Sequence, residues 1–138
     1  MNRTSTLEWN FEKNIATLWQ IVTDNTDYTW RSDLKELIST SPNQFTEYYQ
    51  DGGETHFTVS EKEAEKRYAF AMDNQFFQGK WLGEFVKIDE NTTKLIFTEE
   101  LHFKNPFIYV LSFFMIKLKK IQKNYMLDLE KRLAKETL

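Results

Sequence analysis

The chain has 138 residues, a net charge of −3 and no cysteine. Its length suits a single domain over residues 1–138, and the lack of cysteine excludes disulfides, thiolate catalysis and cysteine-ligated metals. The first residues, MNRTST, lead into charged sequence without the apolar core of a signal peptide, and the longest apolar run is too short to span a bilayer. We therefore expect a cytoplasmic protein.

The first third of the chain predicts a strand followed by a helical pair. Residues 7–11 alternate apolar and polar side chains, which is typical of a strand with one buried face. Asn14 suits the N-cap of a helix that begins at Ile15 and ends near Asp24. Residues 25–32 follow as a short second helix or a turn.

The middle of the chain predicts only strands. Their alternation covers residues 34–39, 44–49, 54–60, 66–72, 79–89 and 92–103. Turn-forming residues separate them, as in Ser-Pro-Asn at 41–43 and Asp-Gly-Gly at 51–53. Short connections favour antiparallel neighbours, so we predict a meander. Residues 61–65 are ambiguous, because their charged composition also fits a helical turn.

The last third predicts one long helix. Asn105 suits its N-cap and Pro106 its first position, where the missing N–H costs nothing. Apolar side chains then recur every three or four residues as a stripe to pack on the sheet, namely Phe107, Leu111, Phe114, Leu118, Ile121, Tyr125, Leu129 and Leu133. Lysines, namely Lys117, Lys119, Lys120 and Lys123, occupy the solvent side.

The predicted order, β-α-α-β-β-β-β-β-β-α, resembles the START-like, or helix-grip, fold of the SRPBCC superfamily of polyketide cyclases/dehydrases and lipid-transport proteins. Three stretches carry the likeness: NIATLWQIVTD at 14–24, YTWRSDL at 28–34 and GKWLG at 79–83. The resemblance covers essentially the whole chain. It implies an α+β fold, in which a curved antiparallel sheet of about seven strands wraps around a long C-terminal helix.

The resemblance also implies an apolar cavity between helix and sheet, which different members use for lipids, hormones, polyketide intermediates or protein contacts. We therefore expect a small hydrophobic or amphipathic ligand, or a lipid, with one or two polar groups orienting it. The candidate ligand-binding residues are those that the patterns direct inward: Phe45, Glu47, Phe57, Tyr68, Phe70, Trp81, Phe85, Phe97, Glu99, Leu101, Leu111, Phe114 and Leu118. Plain core packing is the alternative for each apolar member.

Two glutamates stand within apolar registers: Glu47 between Phe45 and Tyr49, and Glu99 between Phe97 and Leu101. A carboxyl group that faces a dry pocket has a raised pKa, and it can anchor an amine or hydroxyl or move a proton. Glu99 is thus the candidate catalytic residue of a cyclase- or dehydratase-type enzyme. The alternatives are that a bulge turns these side chains to solvent, or that Lys or Arg pairs with them.

The other polar motifs predict structural roles. His56 and His102 are the only histidines, and they form no ligand cluster with cysteine. Arg31 near Asp33 suggests an ion pair, with anion binding as the alternative. No Ser-His-Asp order or Gly-rich phosphate loop occurs. We expect no metal, no cofactor and no nucleic-acid partner.

The segment from Phe107 to Ile116 is apolar around its whole circumference. With one face on the sheet, Ile108, Tyr109, Met115 and Ile116 need another neighbour. They could gate the cavity, form a dimer, contact another protein, enter a membrane interface beside the lysines, or be buried under neighbouring loops. From Lys104 onward the chain carries eight basic and three acidic residues, against ten and eighteen before it. The oligomeric state stays open.

Overall fold

The computed structural model describes residues 1–137, so Leu138, the last residue of the predicted domain, lies outside the described residues. The strands are β1 (Asn2–Phe11), β2 (Leu34–Ser41), β3 (Gln44–Tyr49), β4 (Glu54–Glu63), β5 (Arg67–Asp73), β6 (Phe77–Asp89) and β7 (Thr92–Phe103). The helices are α1 (Ile15–Thr23), α2 (Pro106–Met115) and α3 (Leu118–Ala134), followed by a 3-10 turn, Lys135–Thr137. Within residues 1–137, no helix combines the length and the apolar character needed to cross a bilayer.

The seven strands form one antiparallel sheet in the order β1-β7-β6-β5-β4-β3-β2, which confirms the predicted meander. β1 starts earlier than its apolar alternation indicates, because it pairs with β7 along its whole length, from Asn2 opposite His102 to Phe11 opposite Thr93. Residues 61–63 extend β4 rather than forming a helical turn. Register shifts lie within the β2–β3 and β4–β5 pairs and after Lys87 in the β6–β7 pair, and such irregularities bend and twist a sheet.

Of the two alternatives for residues 25–32, a short second helix or a turn, the structure has the turn, so the second helix of the predicted order is wrong. α1 begins as predicted, since the Asn14 side chain accepts a hydrogen bond from the Thr17 N–H at 2.8 Å. Residues 25–33 then form turns. The Asp24 carboxylate accepts from the Thr26 N–H at 2.9 Å, and the Arg31 N–H donates to the Tyr28 carbonyl at 2.9 Å. Such local side-chain bonds compete with the helical pattern and explain the turn.

The predicted single C-terminal helix is broken between α2 and α3. Asn105 caps α2 as predicted, accepting from the Phe107 N–H at 2.8 Å. At the other end of α2, the Arg3 guanidinium donates to the carbonyls of Ser112 at 2.9 Å and Ile116 at 2.8 Å. A cation that bonds the last carbonyls of a helix stabilises its C-terminus. Arg3, on β1, thus stabilises a helix end that the local sequence does not indicate.

Because of this break, the face of α2 that packs on the core is not the face of the predicted apolar stripe. In α3 most of the stripe is correct, because Leu118, Leu129 and Leu133 are buried and Tyr125 packs against the core, but Ile121 is 44% exposed. In α2 the prediction is wrong, since Phe107 and Phe114 are 70% and 76% exposed. The opposite side of α2 packs on the core instead, through Ile108, Tyr109 and the buried Ser112.

Trp81 on β6 has a tightly defined place in the aromatic core. Its indole stacks on Phe70 with ring centroids 4.6 Å apart, and a Cβ added at Gly83 would lie 2.6 Å from the same indole. We expect Gly83→Ala to lower the free energy of unfolding by about 1–3 kcal/mol, because the ring cannot yield without losing its stack. Urea unfolding would measure this. Gly53→Ala is the control, because its added Cβ meets only ordinary contacts, and equal midpoints for the two variants would contradict the expectation.

Candidate functional site

A cavity of about 450 Å³ lies between α3, the sheet and residues 24–33. Its volume is in the range of small-molecule sites, and most of its surface is apolar. Seven aromatic rings from five strands and α3 form much of its wall, namely Phe45, Phe57, Tyr68, Phe70, Trp81, Phe97 and Tyr125. The alternation of the strands explains this wall, because every second side chain points to the same face of a sheet.

Ten of the predicted site residues line the cavity: Phe45, Glu47, Phe57, Tyr68, Phe70, Trp81, Phe97, Glu99, Leu101 and Leu118. Three do not. Phe85 is buried next to Trp19 of α1, with ring centroids 5.0 Å apart, so it belongs to the core outside the cavity. Leu111 and Phe114 are exposed on α2, because the break after α2 turns that face to solvent.

Sequence reasoning missed the part of the wall that comes from irregular backbone and from α3. Asn25, Tyr28 and Trp30 line the cavity from the turns after α1, and Asn124 and Asp128 line it from α3. Alternation cannot indicate which way side chains point in turns. For the α3 part the helical stripe was a signal, because it directed Ile121 and Tyr125 toward the sheet and both line the cavity.

Arg31 is the polar centre of the cavity. Its guanidinium donates to both Asp33 carboxylate oxygens, at 3.0 and 2.9 Å, and to Glu47 at 3.2 Å. It also lies 5.0 Å from the centroid of the Tyr125 ring. The structure therefore contains both the predicted Arg31–Asp33 ion pair and the Arg partner that was one alternative for Glu47.

Burial and charge act in opposite directions on this cluster. Burial by itself would lower the pKa of the Arg31 guanidinium. The negative charges of Glu47 and Asp33 outweigh that effect, so the pKa is raised. Burial raises the pKa of the Glu47 carboxyl, and Arg31 offsets only part of that effect. The Tyr49 hydroxyl lies 3.4 Å from Glu47 and can donate to it. Arg31 is thus held as a cation by two carboxyl groups of the protein.

Glu99 lies on β7 opposite Trp81 of β6, half-buried and lining the same cavity. The bulge alternative is excluded here, because the β6–β7 register is unbroken from Phe77 to Lys87. Within residues 1–137, no hydrogen-bond or ion-pair partner of the Glu99 carboxyl is found. Burial, with a further contribution from Glu47, raises the pKa of Glu99 to about 7. Such a group can exchange a proton near neutral pH or accept a hydrogen bond from a ligand.

Carboxyl groups outnumber cations around the cavity. Seven acidic residues line it, namely Asp24, Asp27, Asp33, Glu47, Asp51, Glu99 and Asp128, and Arg31 is the only basic one among the lining residues. A recess lined by one sign of charge concentrates ligands of the opposite sign. The site therefore favours a neutral or cationic ligand over an anionic one.

The two histidines lie outside the cavity lining and are exposed. His56 contacts the Thr46 hydroxyl at 2.9 Å, and His102 is hydrogen-bonded to the Asn2 side chain. Across residues 1–137, no group of three or more His, Asp or Glu side chains is arranged to hold a metal ion.

No family model and no curated protein matches the sequence. Solved structures do match. A START superfamily protein from Mycobacterium smegmatis is 14% identical, with a TM-score of 0.80 over 96% of this chain and 97% of that one. The protein has a START-like fold.

Other proteins with this START-like fold include XoxI from Bacillus cereus, 12% identical with a TM-score of 0.77 over 98% of both chains. Norcoclaurine synthase from Thalictrum flavum, solved in complex with dopamine and hydroxybenzaldehyde, is 9% identical with a TM-score of 0.75, over 98% of this chain and 88% of that one. At such identities the likeness shows the fold and not an activity. The predicted α+β class and START-like resemblance are confirmed.

Proposed function

We propose that the protein binds a small amphipathic molecule in the cavity, with an apolar body against the aromatic wall and an amine or hydroxyl directed at Glu99. One observation carries this proposal: the Glu99 carboxyl, which has no hydrogen-bond or ion-pair partner among residues 1–137, faces an aromatic cavity. The START-like fold is consistent with ligand binding. Arg31 is occupied by Asp33 and Glu47, whereas Glu99 has no such partner among residues 1–137 and is therefore the ionisable group that we assign to the ligand.

Affinity in such a site comes mainly from apolar burial, at about 25 cal/mol for each Å² removed from water. The aromatic rings supply this term for any ligand of suitable size, whereas Glu99 distinguishes among ligands of equal size. A ligand amine would stabilise the carboxylate and lower the pKa of Glu99 toward its ordinary value. Binding of an amine should therefore be accompanied by proton release near neutral pH.

Three probes with one apolar body would test the polar preference: naphthylethylamine, naphthylethanol and naphthylacetate. We expect the amine to bind at least about 10-fold more tightly than the carboxylate, because the cavity wall is predominantly acidic. Glu99→Gln should weaken binding of the amine by about 10-fold and change binding of the alcohol little. Isothermal titration calorimetry in buffers of different ionisation enthalpy would measure both the affinity and the proton release.

The matched control is Glu12→Gln, which removes the same charge from an exposed position outside the cavity lining. It should leave all three affinities unchanged. If no probe binds, or if both variants weaken binding of the amine equally, the proposed role of Glu99 is wrong. Native mass spectrometry of the protein taken directly from cells would then show whether any small molecule co-purifies.

A catalytic role for Glu99 is the second candidate, because a cavity carboxyl with a pKa of about 7 is suited to proton transfer at neutral pH. A cyclase- or dehydratase-type reaction would use the cavity to hold a reactive intermediate while Glu99 moves one proton. A compound that co-purifies with the protein can be incubated with wild type and with Glu99→Gln. Equal affinity with conversion by the wild type alone would favour the enzyme.

A cytoplasmic location is our expectation for either function, and fractionation of cells would test it.

A further inference from the structure

The solvent-facing side of α2 is apolar throughout. Six of its side chains are exposed, namely Phe107, Val110, Leu111, Phe113, Phe114 and Met115, and we call them the α2 face. α2 contains no charged residue. Its other side packs on the core. Within residues 1–137, Phe113 contacts Tyr109 and the Arg3 guanidinium, which lies 4.5 Å from its ring centroid, and the other five side chains of the α2 face are exposed. Contiguous apolar surface of this kind marks a contact site.

A basic surface adjoins the α2 face. Lys117, Lys119, Lys120 and Lys123 follow α2 and are exposed. Among the described residues, none of these four lysines pairs with a carboxylate. Arg3 and three of the lysines border a shallow depression beside Phe113 whose lining contains no acidic side chain.

We propose that the α2 face and these lysines dock on an anionic lipid bilayer. α2 would lie in the plane of the interface with its phenylalanines among the acyl chains, and the lysines would reach the phosphate level. Charge complementarity selects this occupant: apolar burial and attraction to anionic headgroups act on adjacent parts of one surface.

A second copy of the chain fits this surface less well. Two α2 helices packed together would bury their apolar faces, but α2 brings no carboxylate to the lysines of a partner. The lysines of the two copies would then lie close together without acidic partners, and their like charges would repel. An anionic bilayer satisfies both surfaces at once.

Vesicle flotation would test the proposal, with phosphatidylcholine alone and with phosphatidylcholine mixed with phosphatidylglycerol. We expect the wild-type protein to float with the mixed vesicles and to lose most of that binding in about 1 M salt, where screening acts within ~3 Å. The double variant Phe107→Ser/Phe114→Ser should bind the mixed vesicles at least about 10-fold less. Lys117→Gln/Lys120→Gln should show a similar loss, confined to the mixed vesicles.

Two controls match these changes away from α2. Ile88→Ser replaces an apolar residue of β6 that is 51% exposed, and Lys62→Gln removes an exposed lysine of β4. Both should bind like the wild type, and thermal melts should show all variants folded. The proposal is overturned if the wild-type protein floats with neither vesicle, or if the α2 variants bind as well as the controls. A dimer in sedimentation that only Phe107→Ser/Phe114→Ser dissociates would overturn it in favour of a second copy.

Discussion

The Glu99→Gln protein is expected to be more stable than the wild type by about 2–3 kcal/mol near pH 8 and equally stable near pH 4. The pKa of Glu99 is about 7 in the folded protein, against an ordinary value of 4.5. The folded state therefore holds this proton more tightly than the unfolded state does. Stability from Glu99 is fully present below about pH 4.5, and it is lost as the pH rises through about 7. Glutamine does not ionise, so the variant does not lose this stability as the pH rises.

Urea unfolding of both proteins across this pH range would measure the difference. Glu12→Gln is again the control, and its stability should follow the wild type at every pH, because Glu12 is exposed. Parallel curves for wild type and Glu99→Gln would mean that Glu99 ionises in the folded protein as readily as in the unfolded chain.

Arg31→Met is expected to lower the free energy of unfolding by about 3–5 kcal/mol near neutral pH. The side chains of Arg31 and Glu47 are 15% and 8% exposed, so the variant leaves a buried carboxyl group without its cation. The loss should diminish as the pH falls, because protonation of Glu47, whose pKa burial already raises, removes the uncompensated charge. Chemical denaturation at several pH values would show both effects.

Arg67→Met is the matched control for that experiment. Arg67 also makes two ion pairs, with Glu61 at 2.9 Å and Glu84 at 3.4 Å, but its side chain is 40% exposed. Surface pairs contribute about 0–1 kcal/mol, so this variant should change little. The double variant Arg31→Met/Glu47→Leu should recover part of the loss, since it leaves no unpaired Glu47. Equal effects of Arg31→Met and Arg67→Met would show that burial does not strengthen the Arg31 cluster.

Strand faces were predictable because they depend on local sequence. Alternation places Phe97, Glu99 and Leu101 on one face of β7 whatever the rest of the chain does, and the structure has them there. The same local logic applies at the start of α2, where Asn105 and Pro106 cap the helix without help from distant residues. Most of the sheet and ten cavity residues follow from these patterns.

The sequence by itself thus determined the strands, the meander, the starts of α1 and α2 and the inward carboxyl group of Glu99. Tertiary structure alone decided the break after α2, because the cation at that helix end is Arg3, more than a hundred positions away in the chain. It also decided that Arg31 joins Glu47 and that Phe114 faces solvent. Periodicity describes neighbours along one element, whereas these three features depend on contacts between elements, which form only when the chain has folded.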